Sequence, residues 1–90
     1  MVTKKTMVRN PSGLHARPAS IFVKRAMEFA SDIEVRNVTT DSEPKNAKSI
    51  LSLMGLGLKQ GNEIEVIASG QDERDAVEAL IELVDSGCGE

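Results

Sequence analysis

His15 and Arg17 flank Ala16 in the run Ser12-Gly13-Leu14-His15-Ala16-Arg17-Pro18, and their types suit one kind of chemistry. Pro18 is at home in the first turn of a helix, where its missing N–H would have had no intrahelical partner. A helix start offers unpaired backbone N–H groups and a positive partial charge, which together make an anion site. His15 sits just before that start, and Ala16 and Arg17 can aim their N–H groups outward. Arg17 adds a planar cationic fork matched to phosphate oxygens. Ser12 either hydrogen-bonds the same anion or caps the helix. A nucleophile, an anion cradle and a cation this close together are the parts of a phosphoryl-transfer site, a chemistry governed by positioning and charge stabilisation.

The plainer alternative is a solvated surface histidine beside a solvated arginine, and spacing alone leans toward it. Against it stands the lack of rivals. The chain offers no Ser-His-Asp set, paired-carboxylate cleft or metal-ligand spacing. Gly55-x-Gly57-x-x-x-Gly61 lacks the lysine of a P-loop and reads as turn glycines.

The elements that must hold this site follow from periodicity. Thr6–Arg9 has strand character, so a first strand ends near residue 9, and Asn10-Pro11-Ser12-Gly13 is a cluster of turn formers. Ala19, Phe22, Val23, Ala26 and Ala30 form one helical stripe, with Ser20, Lys24 and Met27 on the opposite face. Ile33–Arg36 alternates like a half-buried strand, and polar Thr39–Pro44 joins it to an antiparallel neighbour. Ser49 leads into Ile50–Met54, read as a short helix with the serine in its first turn. Glu63–Ala68 is the clearest strand. A last helix follows, with Asp72, Glu73 and Asp75 in its first turn favourable to the dipole. Ala76, Val77, Leu80, Leu83 and Val84 form its buried stripe, and Gly87 stops it. The order strand, helix, strand, strand, short helix, strand, helix predicts an α+β open-faced sandwich: a four-stranded antiparallel sheet with three helices on one face.

Composition narrows the function further. A chain of 90 residues makes one domain, and at this size it buries only about 60–65% of its unfolded surface, so function must sit on the outside. A net charge of −3, with no Trp or Tyr, makes a poor nucleic-acid binder. No stretch approaches the roughly 18–20 apolar residues of a membrane span. No apolar segment follows Met1-Val2-Thr3-Lys4-Lys5, so no signal peptide is expected and the protein reads as cytoplasmic. One histidine and one distant cysteine make neither a metal site nor an internal disulfide, and Cys88 in the tail reads as incidental. No metal or cofactor is expected.

Gly13-Leu14-His15-Ala16-Arg17-Pro18-Ala19 resembles the active-site motif of the histidine-containing phosphocarrier family, HPr, of the bacterial phosphoenolpyruvate-dependent sugar phosphotransferase system. Asn46–Met54 is similar to the region around that family's regulatory serine, and Lys59–Gly70 to its last strand. The resemblance covers roughly residues 3–87. It implies a βαββαβα open-faced sandwich and a likewise concrete function. Enzyme I would phosphorylate His15 on Nδ1, Arg17 would stabilise the phosphoryl group, and enzyme IIA domains would receive it. Met27, Ile50, Leu51 and Met54, with Ala16, Ser20 and Lys24, would form the docking surface of a monomeric carrier, while Leu53 stays a core residue. Ser49 matches the serine phosphorylated by an HPr kinase/phosphorylase, where added charge would repel enzyme I. The chain departs from the pattern by roughly three extra residues between His15 and Ser49, placed in the Asp41–Lys45 turn. Its Arg36-Asn37 and Val84–Gly87 segments resemble the nitrogen-related phosphocarrier branch. A regulatory interaction module controlled through Ser49 is the alternative, although the family's purely regulatory paralogues lack the histidine that this chain keeps.

Overall fold

The computed structural model describes residues 1–88; Gly89 and Glu90 lie outside the described residues. Its elements are β1 (Val2–Met7), α1 (Ala16–Ala26), β2 (Asp32–Asn37), β3 (Lys45–Asn46), α2 (Ile50–Met54), β4 (Glu63–Ser69) and α3 (Glu73–Asp85). The strands form one antiparallel sheet in the order β1-β4-β2-β3. This is the expected open-faced sandwich.

Period-two alternation decides which face is covered. Ile33, Val35 and Asn37 of β2 and Ile64, Val66 and Ala68 of β4 are buried, while residues between them face outward. The outer face carries the cross-strand pair Arg36–Glu65, joined at 2.7 Å. On the covered face, α3 packs on β1 and β4, α2 on β3, and α1 against both α2 and α3. Ala19, Phe22 and Ala26 from α1 and Ala76, Val77, Leu80 and Val84 from α3 are buried in this layer.

Several element edges differ from the sequence expectation for physical reasons. β1 runs from Val2 to Met7 and is an edge strand whose Lys4 and Lys5 stay in water, so it carries no clean alternation. Val8 leaves the strand yet still donates to the Asn62 carbonyl at 2.9 Å. α1 ends at Ala26, so Ala30 drops out of the stripe and is exposed. Leu83 is half-buried rather than core, because it flanks a groove between the end of α1 and α3 that Arg25 and Phe29 also line.

Asp72 is the N-cap of α3 rather than a first-turn residue, and its carboxylate does not serve that helix. It accepts from the N–H groups of Ala30 and Ser31, both at 2.9 Å, and from the Ser31 hydroxyl. These bonds, the hydroxyl's first, hold the Asp72 carboxyl below its ordinary value.

The end of α3 corrects the reading of Cys88. Gly87 is left-handed (φ +86), its N–H donates to Val84 O at 3.1 Å, and the Cys88 N–H donates to Leu83 O at 2.9 Å. That pair is a Schellman motif, which folds the chain back and buries Cys88 completely within the hydrophobic core. Cys88 is a packing residue, not an idle part of a tail.

Candidate functional site at the head of the first helix

The segment before α1 is fastened at each point where it could drift. Asn10 accepts the Gly13 N–H at 2.9 Å, closing a turn with Pro11 and Ser12 at its centre, the composition such turns favour. Gly13 has φ +72, and a Cβ there would stand 2.2 Å from the Leu58 carbonyl oxygen, so only glycine fits. The next N–H, that of Leu14, donates to the same carbonyl at 2.9 Å. The Leu14 side chain is fully buried, a burial that contributes about 1.5–3 kcal/mol toward holding the loop down.

His15 follows as the N-cap of α1, with extended backbone (φ −122, ψ 159), half-exposed and making no side-chain cap bond. The helix therefore starts without a side-chain cap, and a helix start offers N–H groups that lack intrahelical partners, as an anion site requires. The two readings of Ser12 separate here: Ser12 is exposed and lies in the turn, and the capping position belongs to His15. Arg17 is exposed at the second helical position, with Pro18 buried behind it.

Ala16, between the two candidate residues, has φ +49. For a residue with a Cβ this conformation costs about 1–2 kcal/mol. Such strain persists only where the surroundings over-determine it, and here both flanks are held: Gly13 and Leu14 against Leu58, and Pro18, Ala19 and Phe22 in the core. Neither this strain nor the Leu58 mooring has a local sequence signal beyond Gly13.

Ser49 is the N-cap of α2, one residue before its first turn. Its Oγ accepts the Ser52 N–H at 3.3 Å. The loop before it is tied to the end of α1, because the Lys48 ammonium donates to the Phe29 carbonyl at 2.8 Å.

The apolar residues named as a docking surface are exposed: Met27 at 65%, Leu51 at 81%, and Ile50 and Met54 at 39% each. Ala16, Ser20 and Lys24 are exposed on α1, and Leu53 is buried in the core as expected. α1 and α2 pack against each other, so these side chains lie on neighbouring elements. Among the described residues, no cluster of His, Cys, Asp and Glu could hold a metal ion, and no helix is long and apolar enough to cross a membrane.

Comparison with known proteins agrees with this geometry. The family model described as "PTS HPr component phosphorylation site" matches residues 2–86. The phosphocarrier protein HPr of Lysinibacillus sphaericus is 49% identical over 84 residues, covering 93% of this chain and 92% of that protein. The HPr-like protein Crh of Bacillus subtilis is 44% identical over 84 residues, covering 93% of this chain and 95% of the relative. A crystal structure of HPr-C-His from Thermoanaerobacter tengcongensis superposes with a TM-score of 0.93 at 43% identity, covering 100% of this chain and 98% of that one. A match spanning the His15 loop, all four strands and all three helices shows that the chain belongs to the HPr phosphocarrier family of the phosphotransferase system.

Proposed function

We propose that this chain is a single-domain, monomeric phosphocarrier of the cytoplasm, taking a phosphoryl group from phosphorylated enzyme I and passing it to enzyme IIA domains for sugar uptake. The observation that carries the reading is His15 itself: an N-cap residue whose side chain does not cap its helix, in a family of phosphocarriers. In the accepting step the Nδ1 lone pair attacks phosphorus and a new P–N bond forms. The bond to the donor's leaving nitrogen breaks, and that nitrogen keeps the electron pair. Delivery to a IIA domain runs the same step in reverse. The open N–H groups of the first turn and the Arg17 guanidinium supply charge to the phosphoryl oxygens. Ser12, exposed beside them, offers a further donor.

Met27, Ile50, Leu51 and Met54 would dock both donor and acceptor, with Ala16, Ser20 and Lys24 completing the contact. Flexible methionines suit a surface that must fit more than one partner. Phosphorylation of Ser49 by an HPr kinase/phosphorylase would place charge among these residues and slow the exchange with enzyme I. The nitrogen-related branch uses the same His15 chemistry with a different partner set.

Incubation with phosphoenolpyruvate and enzyme I is expected to give an acid-labile, base-stable label that His15→Ala lacks, with slower labelling in Ser49→Asp. A wild-type chain that takes no label would overturn the reading. A second reading is a regulatory module acting through Ser49 and the α2 surface, supported by 43% identity to Crh, the Bacillus subtilis catabolite repression HPr, but weakened by the His15 that this chain keeps. It predicts that His15→Ala keeps full activity in the cell while Ser49→Asp loses it.

A further inference from the structure

The root of the His15 loop is bound to the far end of the chain. Asn10 is 2% exposed, and its Nδ2 donates to the Gly87 carbonyl at 2.6 Å. Gly87 is the left-handed residue of the Schellman motif that ends α3. Just outside this bond, Asp85 accepts from the Thr6 hydroxyl and lies 3.7 Å from Arg9 Nε. The segment Thr6–Asn10 is thereby stitched to Asp85–Gly87. The Arg9 pair is exposed on both sides and holds little, so the part-buried Asn10–Gly87 bond is the stronger tie.

We propose that Asn10 is a positioning residue for phosphoryl transfer, holding His15 in its presenting geometry by anchoring the loop to the end of α3. This rests on the phosphocarrier reading above. The side chain of Asn10 grips Gly87 while its carbonyl takes the Gly13 N–H, so one residue sets both the depth and the tilt of the turn. The far side of the turn is held as well, because the Leu14 N–H donates to the Leu58 carbonyl at 2.9 Å and the Leu14 side chain is fully buried. A shift at Asn10 is therefore passed along to Leu14, His15 and the strained Ala16. Strain at Ala16 survives only while its surroundings hold it, and Asn10 ties this loop to the residues that end α3. Asn10 touches no phosphate in this account. It acts through the position of His15.

The test compares Asn10→Leu, which keeps the volume and removes the donor, with Val84→Ala, which weakens the same end of α3 from within the core. Both are assayed for phosphoryl acceptance from phosphorylated enzyme I at a temperature where melting curves show each to be folded. Asn10→Leu is expected to lower kcat by about 10- to 100-fold, the scale of a small misplacement of a reacting group, with KM within about twofold of wild type. Val84→Ala is expected to keep wild-type kcat. In amide NMR spectra the His15 and Ala16 resonances should move in Asn10→Leu and stay in place in Val84→Ala. Wild-type kcat in Asn10→Leu, equal losses in the two variants, or unmoved His15 and Ala16 resonances would overturn the proposal. A wild-type protein that accepts no phosphate would instead sink the carrier reading, and the NMR comparison would still decide whether Asn10 positions the loop.

Discussion

The residues before α1 and α2 have nearly the same backbone and opposite duties. His15 (φ −122, ψ 159) and Ser49 (φ −116, ψ 118) are both extended N-caps. Ser49 gives its side chain to the helix, accepting the Ser52 N–H, while His15 gives its helix nothing. Helix length and burial account for the difference. α1 has 11 residues, of which Pro18, Ala19, Phe22, Val23 and Ala26 are buried, so packing holds it without a cap. α2 has 5 residues and buries only Leu53, so its cap is a large part of what forms it. The general point is that a helix start becomes available for chemistry when tertiary burial, rather than capping, stabilises the helix. The head of α3 is a third case, in which the Asp72 carboxylate leaves its own helix to hold Ala30 and Ser31.

This contrast can be broken most severely at Gly13. Gly13→Ala meets both a left-handed φ and the Leu58 carbonyl, and should cost about 2–4 kcal/mol in denaturant unfolding. A neutral result would show that the loop has slack and that His15 is not held as described. The paired test comes next. Ser49→Ala should lose about 1 kcal/mol, the ordinary worth of a cap, whereas His15→Ala should stay within about 0.5 kcal/mol of wild type. Equal losses would erase the distinction between the two caps. Ala16→Gly sharpens it from the other side, since relief of the positive φ less the added unfolded-state entropy leaves a gain of up to about 1 kcal/mol. If the variant is less stable than wild type, Ala16 is not strained.

The smallest expected effect concerns pH. Because the Asp72 carboxyl is held below its ordinary value when folded, its contribution is present above the usual carboxylate range. It is lost as pH falls through the lowered folded value. Asp72→Asn should therefore flatten the acid side of a melting-temperature profile while leaving the neutral side parallel to wild type.

Local chemistry was legible in the sequence wherever neighbours in the chain produce it. The turn at Asn10–Gly13, the α1 stripe and the alternation of β4 all follow from short-range spacing, whereas the exposure of Leu51 beside buried Leu53 came only from the family resemblance, since periodicity alone makes both core. What was not legible depends on partners far along the chain. Asp72 looked like a dipole residue because its true partners, Ala30 and Ser31, lie 41–42 positions away. Cys88 looked like a tail residue because its burial requires the reversal at Gly87. The Asn10–Gly87 bond joins residues 77 positions apart and left no mark in either segment. Strain at Ala16 was hidden because alanine, unlike Gly, Asn or Asp, does not mark a positive φ.

The chain contains one histidine, so a phosphorylated imidazole can only be His15. The most direct test is therefore a nitrogen NMR spectrum of histidine-labelled protein, taken after exposure to enzyme I and phosphoenolpyruvate. Nδ1 of the ring is expected to carry the phosphoryl group, and the signal to revert when a IIA domain is added. An imidazole spectrum unchanged by phosphorylated enzyme I would contradict it.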